Sequence, residues 1–138
     1  MSLFVDTSVW YAAADAGDRS NARAKEILSG AAEPLVTTDH VLVETCALLR
    51  WRLHRQAADT FWGALRGGVA AVEIVGEADL EAAWTIGHDF PDQDFSVVAR
   101  TSFAVMMRLG VARVAAFDDH FAVFRYGRSR ASAFELVR

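Results

Sequence analysis

One cysteine, two prolines and a single lysine in 138 residues put several classes of protein out of reach. With Cys46 alone, no intramolecular disulfide framework can form and no zinc site can be built on paired thiolates. His40, His54 and His88 have no metal-ligand spacing relative to one another. With only Pro34 and Pro91 and no polar low-complexity tract, long disorder is not expected. No apolar run approaches the ~20 residues that a membrane span needs, so no membrane role is expected. The opening MSLFVDTSVW carries an acid at Asp6 and no basic segment, which predicts no secretory leader. Neither G-x-x-x-x-G-K-[ST] nor G-x-G-x-x-G is present, so there is no nucleotide cradle. Ser8 has no base near it in sequence, which leaves serine nucleophile chemistry unsupported.

What is present fits one globular domain over residues 1–138, with 53% hydrophobic and 23% charged residues. A chain of this size buries roughly 68–70% of its unfolded surface, enough for a core without staples. The setting expected is the cytoplasm of a bacterium, and the Arg and Ala bias suggests a GC-rich genome. The net charge of −4 hides an asymmetry. Residues 1–99 hold 7 basic and 15 acidic residues, a balance of −8; residues 100–138 hold 7 Arg and 3 acids, a balance of +4. Either the surface is simply mixed, or an acidic site lies beside an Arg-bearing edge suited to phosphate.

The pattern predicts strands alternating with helices. Leu3-Phe4-Val5 is a short apolar strand ending at Asp6, and Thr7 or Ser8 is placed to cap a helix to Ala14. A helix over Asn21–Leu28 follows, then a strand at Leu35–Thr37 and a helix from Asp39 to Arg52. Further helices are expected over Gln56–Leu65, Glu77–His88 and Ser96–Leu109. Further strands are expected over Val72–Val75, Arg113–Phe117 and Phe134–Val137. In the Glu77–His88 helix, Leu80, Ala83, Trp84 and Gly87 share one side. Trp10, Trp51, Trp62 and Trp84 are expected mostly in the core, with some available to line a partner groove. Such alternation means an α/β fold with a mostly parallel sheet. Sites in these sheets lie beyond the carboxyl ends of the strands, where Asp6 and Asp118 fall.

Acids at core-facing positions are the anomaly. Val41, Thr45 and Leu48 define a buried stripe, and Glu44 faces the same way. An unpaired buried carboxylate is costly, so Glu44 is half-exposed, paired to a buried Arg, or a metal ligand. Asp6 by itself reads equally as a helix N-cap, and Asp118 as a turn residue. Three acids from separate segments carry more weight together, because hard oxygen donors in that number suit Mg²⁺ or Mn²⁺. His120 is expected to pack beside its turn, Asp119 to face solvent, and Cys46 to be a small buried residue.

V-D-T-S-V at 5–9, V-E-T at 43–45, F-S-V-V-A-R-T-S-F-A at 95–104 and F-D-D-H-F at 117–121 resemble PIN-domain nucleases. Among these they are most similar to the VapC toxins of bacterial VapBC toxin–antitoxin modules. The resemblance runs in order from Asp6 to about Phe124. It implies an α/β/α sandwich around a parallel sheet and Mg²⁺-dependent endoribonuclease activity from about four acids. It also implies an antitoxin partner that wraps the toxin and brings a basic side chain near the acids, an RNA substrate, and a homodimer. By position, Asp6, Glu44 and Asp118 are catalytic and metal-binding acids. Thr7, Ser8, Thr101 and Asp119 are in supporting places.

The remaining family acid falls at Ala99, which offers no ligand. Position 99 shares a stripe with Phe95, Ser102, Phe103 and Met106 and is expected to face the site. The chain is then either a deliberately inactivated form or a natural relative that has lost activity or uses another acid, with Asp94 the nearest substitute. Ala116, where Thr or Ser often precedes the aromatic-Asp pair, is a second departure. Two rivals remain: a non-catalytic RNA- or antitoxin-binding decoy on the same fold, and a phosphohydrolase needing a D-x-D nucleophile. For the latter, Asp92-Gln93-Asp94 is the only match and follows a proline rather than a strand.

Overall fold

One wholly apolar stretch at the centre and four short stretches mixing apolar with polar residues form a single parallel sheet in the computed structural model, which describes residues 1–138. The strands are β1 (Leu3–Val5), β2 (Leu35–Thr38), β3 (Ala71–Glu73), β4 (Arg113–Ala115) and β5 (Glu135–Val137). Their order is β3-β2-β1-β4-β5, and all four pairings are parallel. Central β1 is buried along its whole length, as a strand covered on both faces must be. The helices are α1 (Thr7–Ala14), α2 (Asn21–Gly30), α3 (Asp39–Arg52), α4 (Arg55–Arg66), α5 (Glu77–Asp89), α6 (Val97–Leu109) and α7 (His120–Val123).

The chain starts at the middle of the sheet, moves outward to β2 and β3, then returns past β1 to β4 and β5. Right-handed crossovers therefore put α1–α4 on one face and α5–α7 on the other. The packing agrees: α1 lies against α2 and α3, α3 against α4, and α5 against α6. The direction of winding reverses between β1 and β4. In open parallel sheets, that reversal opens a crevice at the carboxyl ends of the two strands.

Several sequence expectations need correction. Helix α1 is capped by Asp6, whose carboxylate accepts from the Ser8 amide, and not by Thr7 or Ser8. On α3 the fully buried row is Val41, Thr45 and Leu49; Leu48 and Glu44 stand half-buried beside it. On α5 the buried residues are Asp79, Ala83 and Ile86, while Leu80 and Trp84 face out. Asp79 turns the helix this way. It accepts a two-pronged ion pair from Arg108 (2.9 and 3.1 Å) and a bond from the Gly76 amide. Trp10 is the one tryptophan in the core; Trp51, Trp62 and Trp84 are exposed. Strand β4 stops at Ala115 rather than Phe117, because the Phe117 amide leaves the ladder to donate to the Ser8 hydroxyl. Strand β3 ends at Glu73, and the Val75 amide donates instead to the Asp39 carboxylate.

Helix α7 was not anticipated by the periodicity, being four residues long. It is fixed by rings. Phe103 stacks on Phe124 with centroids 4.3 Å apart and meets Phe121 edge-on at 5.0 Å. Phe95 reaches the His120 ring at 5.4 Å. This aromatic packing holds the segment after β4, and with it Asp118, against α6.

Candidate active site

The crevice at the β1/β4 reversal is a cavity of about 390 Å³. Its walls come from the end of β1, the cleft between α1 and α3, the start of α6, and the turn after β4. Asp6, Glu44, Ala99 and Asp118 all line it, as do Thr7, Ser8 and Ser96. Four segments distant in sequence thus bring three carboxylates and one methyl group to one cavity.

Asp6 is only 7% exposed. One of its oxygens accepts from the Ser8 amide (3.1 Å) and the Ser8 hydroxyl (2.7 Å). That hydroxyl accepts in turn from the Phe117 amide at 3.0 Å, which ties the turn after β1 to the residue before Asp118. Burial pushes the Asp6 carboxyl up to about 6, against the pull of the two Ser8 bonds; the negative charges of Asp118 and Glu44 push it further up. Asp118 accepts from the His120 amide, with the His120 ring 3.2 Å away. Glu44 takes part in no ion pair, so the alternative of a buried Arg partner is ruled out.

Ala99 sits in the first turn of α6, buried, with its amide bonded to the Ser96 hydroxyl at 3.0 Å. Phe95, Ser102, Phe103 and Met106 are buried along the same stripe. Other candidates fall elsewhere. Asp94 is exposed and outside the cavity wall, so it does not stand in for the acid absent at 99. Asp119 points to solvent and pairs with Arg138 at 2.8 Å. Thr101 is buried and bonded to the Val98 carbonyl, away from the cavity. Cys46 is half-buried, within sulfur hydrogen-bond reach of the Ala58 carbonyl.

The donor set suits a hard divalent ion. All three acids supply oxygen donors, and burial raises the carboxyl of Asp6 to about 6. The buried Thr7 hydroxyl, also on the cavity wall, has no hydrogen-bond partner. The set is not closed: no three acidic, His or Cys side chains stand close enough together to form a ligand sphere by themselves.

A family model, PIN domain, matches residues 3–125. The chain belongs to the PIN-domain family. Among curated proteins it is similar to the 23S rRNA-specific endonuclease VapC20 of Mycobacterium tuberculosis. The two are 38% identical over 123 residues, covering 87% of this chain and 92% of that protein. The crystal structure of VapC20, described as a sarcin–ricin loop cleaving toxin, superposes with a TM-score of 0.83 at 35% identity. It covers 87% of this chain and 92% of the other. VapBC2 from Rickettsia felis, solved bound to a promoter DNA fragment, shares the fold with a TM-score of 0.69 at 8% identity. That match covers 99% of this chain and 98% of the other. This PIN domain is a homologue of a VapC toxin endoribonuclease, with the α/β/α sandwich of that group. No helix in it is long and apolar enough to cross a membrane.

Sequence reasoning missed part of this PIN-domain cavity. Tyr11, Arg19 and Arg52 also line it. For Arg52 there was a signal: Glu44, Leu48 and Arg52 recur every four residues, so a helix that turns Glu44 into a cavity turns Arg52 along it as well.

Proposed function

We propose that this PIN domain, acting over residues 1–138, is the toxin of a type II toxin–antitoxin pair. Its activity is Mg²⁺-dependent endoribonuclease cleavage of RNA phosphodiesters, with Mn²⁺ an alternative ion. Asp6, Glu44 and Asp118 are the ligand set, and the present chain is impaired because Ala99 stands at the fourth position. The observation that carries this is the convergence of three carboxylates and Ala99 on one cavity at the reversal of the sheet. When bound there, a divalent ion lowers the pKa of water and polarises the phosphate for in-line attack.

The side chains have separable tasks. Asp6 is held by Ser8 in the one orientation that leaves its second oxygen without a bonded donor. Ser8 also fixes the Phe117 amide, and so sets the spacing between the Asp6 and Asp118 segments. Asp118 is oriented by the His120 amide, and His120 is held by Phe95. The cleft shields Asp6 from bulk water, which strengthens its attraction for a cation.

The relative VapC20 acts on 23S rRNA, so a sarcin–ricin loop hairpin is the first RNA to test. For the antitoxin, we place the contact on the apolar groove of about 750 Å³ between α1, α2 and α4. The groove is floored by Trp10, Leu28 and Phe61 and is continuous with α1, which also walls the acidic cavity. An apolar segment seated there can deliver a basic side chain to the acids. A homodimer through the exposed aromatic and aliphatic faces completes the assembly.

Ala99→Asp is the deciding experiment. The restored chain should cleave the hairpin in Mg²⁺ at least ~100-fold faster than the present one, be silenced by EDTA, and be silenced again by Asp6→Ala. Equal cleavage with Ala or Asp at 99 would remove that position from the ligand set. The second reading, a non-catalytic RNA- or antitoxin-binding decoy, is favoured by Ala99 alone. It predicts that Ala99→Asp gains nothing.

A further inference from the structure

The cavity has two electrostatic ends. Glu44, Leu48 and Arg52 lie along one face of α3 at four-residue intervals, and all three line the cavity. At 1.5 Å per residue, Arg52 stands about 12 Å along the helix axis from Glu44. Across the cleft on α1, Thr7 and Tyr11 form a matching row, so the cavity runs from the carboxylates toward Tyr11 and Arg52. Arg19, from the loop between α1 and α2, joins Arg52 as a second basic residue of the wall.

Neither guanidinium is claimed by a carboxylate, although Arg52 also meets the Tyr11 hydroxyl. Neither Arg19 nor Arg52 takes part in any of the ion pairs of the molecule, although Asp18 shares the wall. Asp18 is instead occupied by the Ser20 amide at 2.8 Å. Arg52 is held by rings, 5.2 Å from the centre of Tyr11 and 5.9 Å from that of Trp51. A guanidinium oriented by aromatic faces and free of carboxylate keeps its fork of donors available. Phosphate oxygens fit that fork with two parallel bonds.

We propose that Arg19 and Arg52 hold a backbone phosphate of the RNA strand neighbouring the phosphodiester presented to Asp6, Glu44 and Asp118. This rests on the nuclease function argued above. It assigns the strand a direction of entry, because cations draw the polyanion in at one end while the acids repel it at the other until a metal ion is bound. An anionic ligand without this anchor meets four carboxylates, those of Asp6, Asp18, Glu44 and Asp118, in a cavity whose net formal charge is negative.

The test measures binding in EDTA, so that it does not depend on a loaded metal site. A fluorescein-labelled sarcin–ricin hairpin RNA is titrated with the full chain and with Arg19→Gln, Arg52→Gln and the double variant, each across a range of salt concentrations. Each substitution should weaken binding about tenfold at moderate salt. Each should also reduce the steepness of log K against log salt by about 0.7 to 0.9 per lost phosphate contact. Arg52→Lys should keep the salt slope and recover part of the affinity, which a merely structural role for Arg52 would not produce. Placed in the Ala99→Asp chain, the double substitution should raise KM and leave kcat within a few fold.

An unchanged affinity and slope in the double variant would overturn the assignment. If Ala99→Asp cleaves RNA normally in that same double variant, the nuclease function survives and only the phosphate anchor falls. If the present chain binds no RNA and Ala99→Asp cuts none, both fall together.

Discussion

Replacing Asp6 by Asn should make this protein more stable at neutral pH, although Asp6 is the most buried member of its acidic cluster. The carboxyl titrates near 3.8 in an unfolded chain and is pushed up to about 6 in the fold, burial being the main cause. Keeping it ionised in the fold therefore costs ~3 kcal/mol at pH 7.5. The sign follows from proton counting. Between pH 3.8 and 6 the folded state holds the proton more tightly than the unfolded state, so stability falls as pH rises through that window and is flat above it. At pH 4.5 the penalty is only ~1 kcal/mol. Asn retains the oxygen that accepts from Ser8, serves equally as an N-cap, and carries no charge.

Asp6→Asn should thus gain about 1–3 kcal/mol at pH 7.5, the lower figure allowing for desolvation of the amide. For a chain of this length that is a rise in Tm of roughly 3–10 °C. Thermal unfolding followed by circular dichroism in EDTA, at pH 4.5 and 7.5, measures both quantities. The gap between variant and parent should shrink to about a third at pH 4.5. Adding Mg²⁺ at pH 7.5 should narrow it from the other direction, because only the parent keeps the carboxylate that the ion stabilises. A variant less stable than the parent at pH 7.5, or a gap indifferent to pH, would show that Asp6 is not strained by burial.

Two further substitutions test the supports around the site. Arg108→Ala leaves the buried Asp79 carboxylate without its two-pronged partner and should cost about 1–3 kcal/mol by chemical denaturation, Arg108 being partly exposed. Arg108 holds the Asp79 carboxyl below its ordinary value, so the stabilisation is present above the carboxylate range and lost as pH falls; Arg108→Ala should remove that acid sensitivity. Ser8→Ala removes two bonds, to Asp6 and from the Phe117 amide, and should cost about 1–2 kcal/mol while raising the Asp6 carboxyl further, readable by NMR titration.

Much of the arrangement was legible because local rules and the fold agree. Leu3-Phe4-Val5 reads as a buried strand, and the run from Ser96 to Leu109 reads as a helix stopped by Gly110. Ser96 is the cap rather than the first helical residue, bonding the Ala99 amide, and Gly110 ends α6 with a left-handed φ of 69°. That Asp6 and Asp118 reach the same cavity follows from both lying just past strand ends. What failed was orientation decided by a partner remote in sequence. The face of α5 is set by Arg108 reaching Asp79 across 29 residues, so Trp84 and Leu80 turn outward against their hydrophobicity. Leu49 displaces Leu48 from the core because the α3 stripe drifts by a residue over two turns, which in turn exposes Leu48 and Arg52 to the cavity. Helix α7 depends on Phe103 and Phe134, neither of them its neighbour in sequence, for the packing that makes four residues hold a turn.

Ala99 also bears on stability, and here two effects oppose each other. An Asp at this position would stand three residues after the Ser96 cap, where a carboxylate can return a bond to the cap amide and interact with the positive end of α6. Helix energetics alone favour the acid by about 0.3–1 kcal/mol. The cavity disfavours it, because a further negative charge would join Glu44 and Asp118, which already add to the effect of burial in raising Asp6 to about 6. Burial of position 99 weights the second effect, since a desolvated carboxylate gains little from solvent screening. Ala99→Asp should therefore lower Tm in EDTA at pH 7.5 and recover it at pH 5, where Asp6 is protonated. Mg²⁺ should reverse the loss: at 100 times its Kd, the ion adds ~2.7 kcal/mol to the fold that binds it. The present chain, with three acids and a weaker site, should respond less at the same concentration. A restored chain more stable than the parent in EDTA, or one whose Tm ignores Mg²⁺, would mean that position 99 does not share its charge environment with Asp6, Glu44 and Asp118.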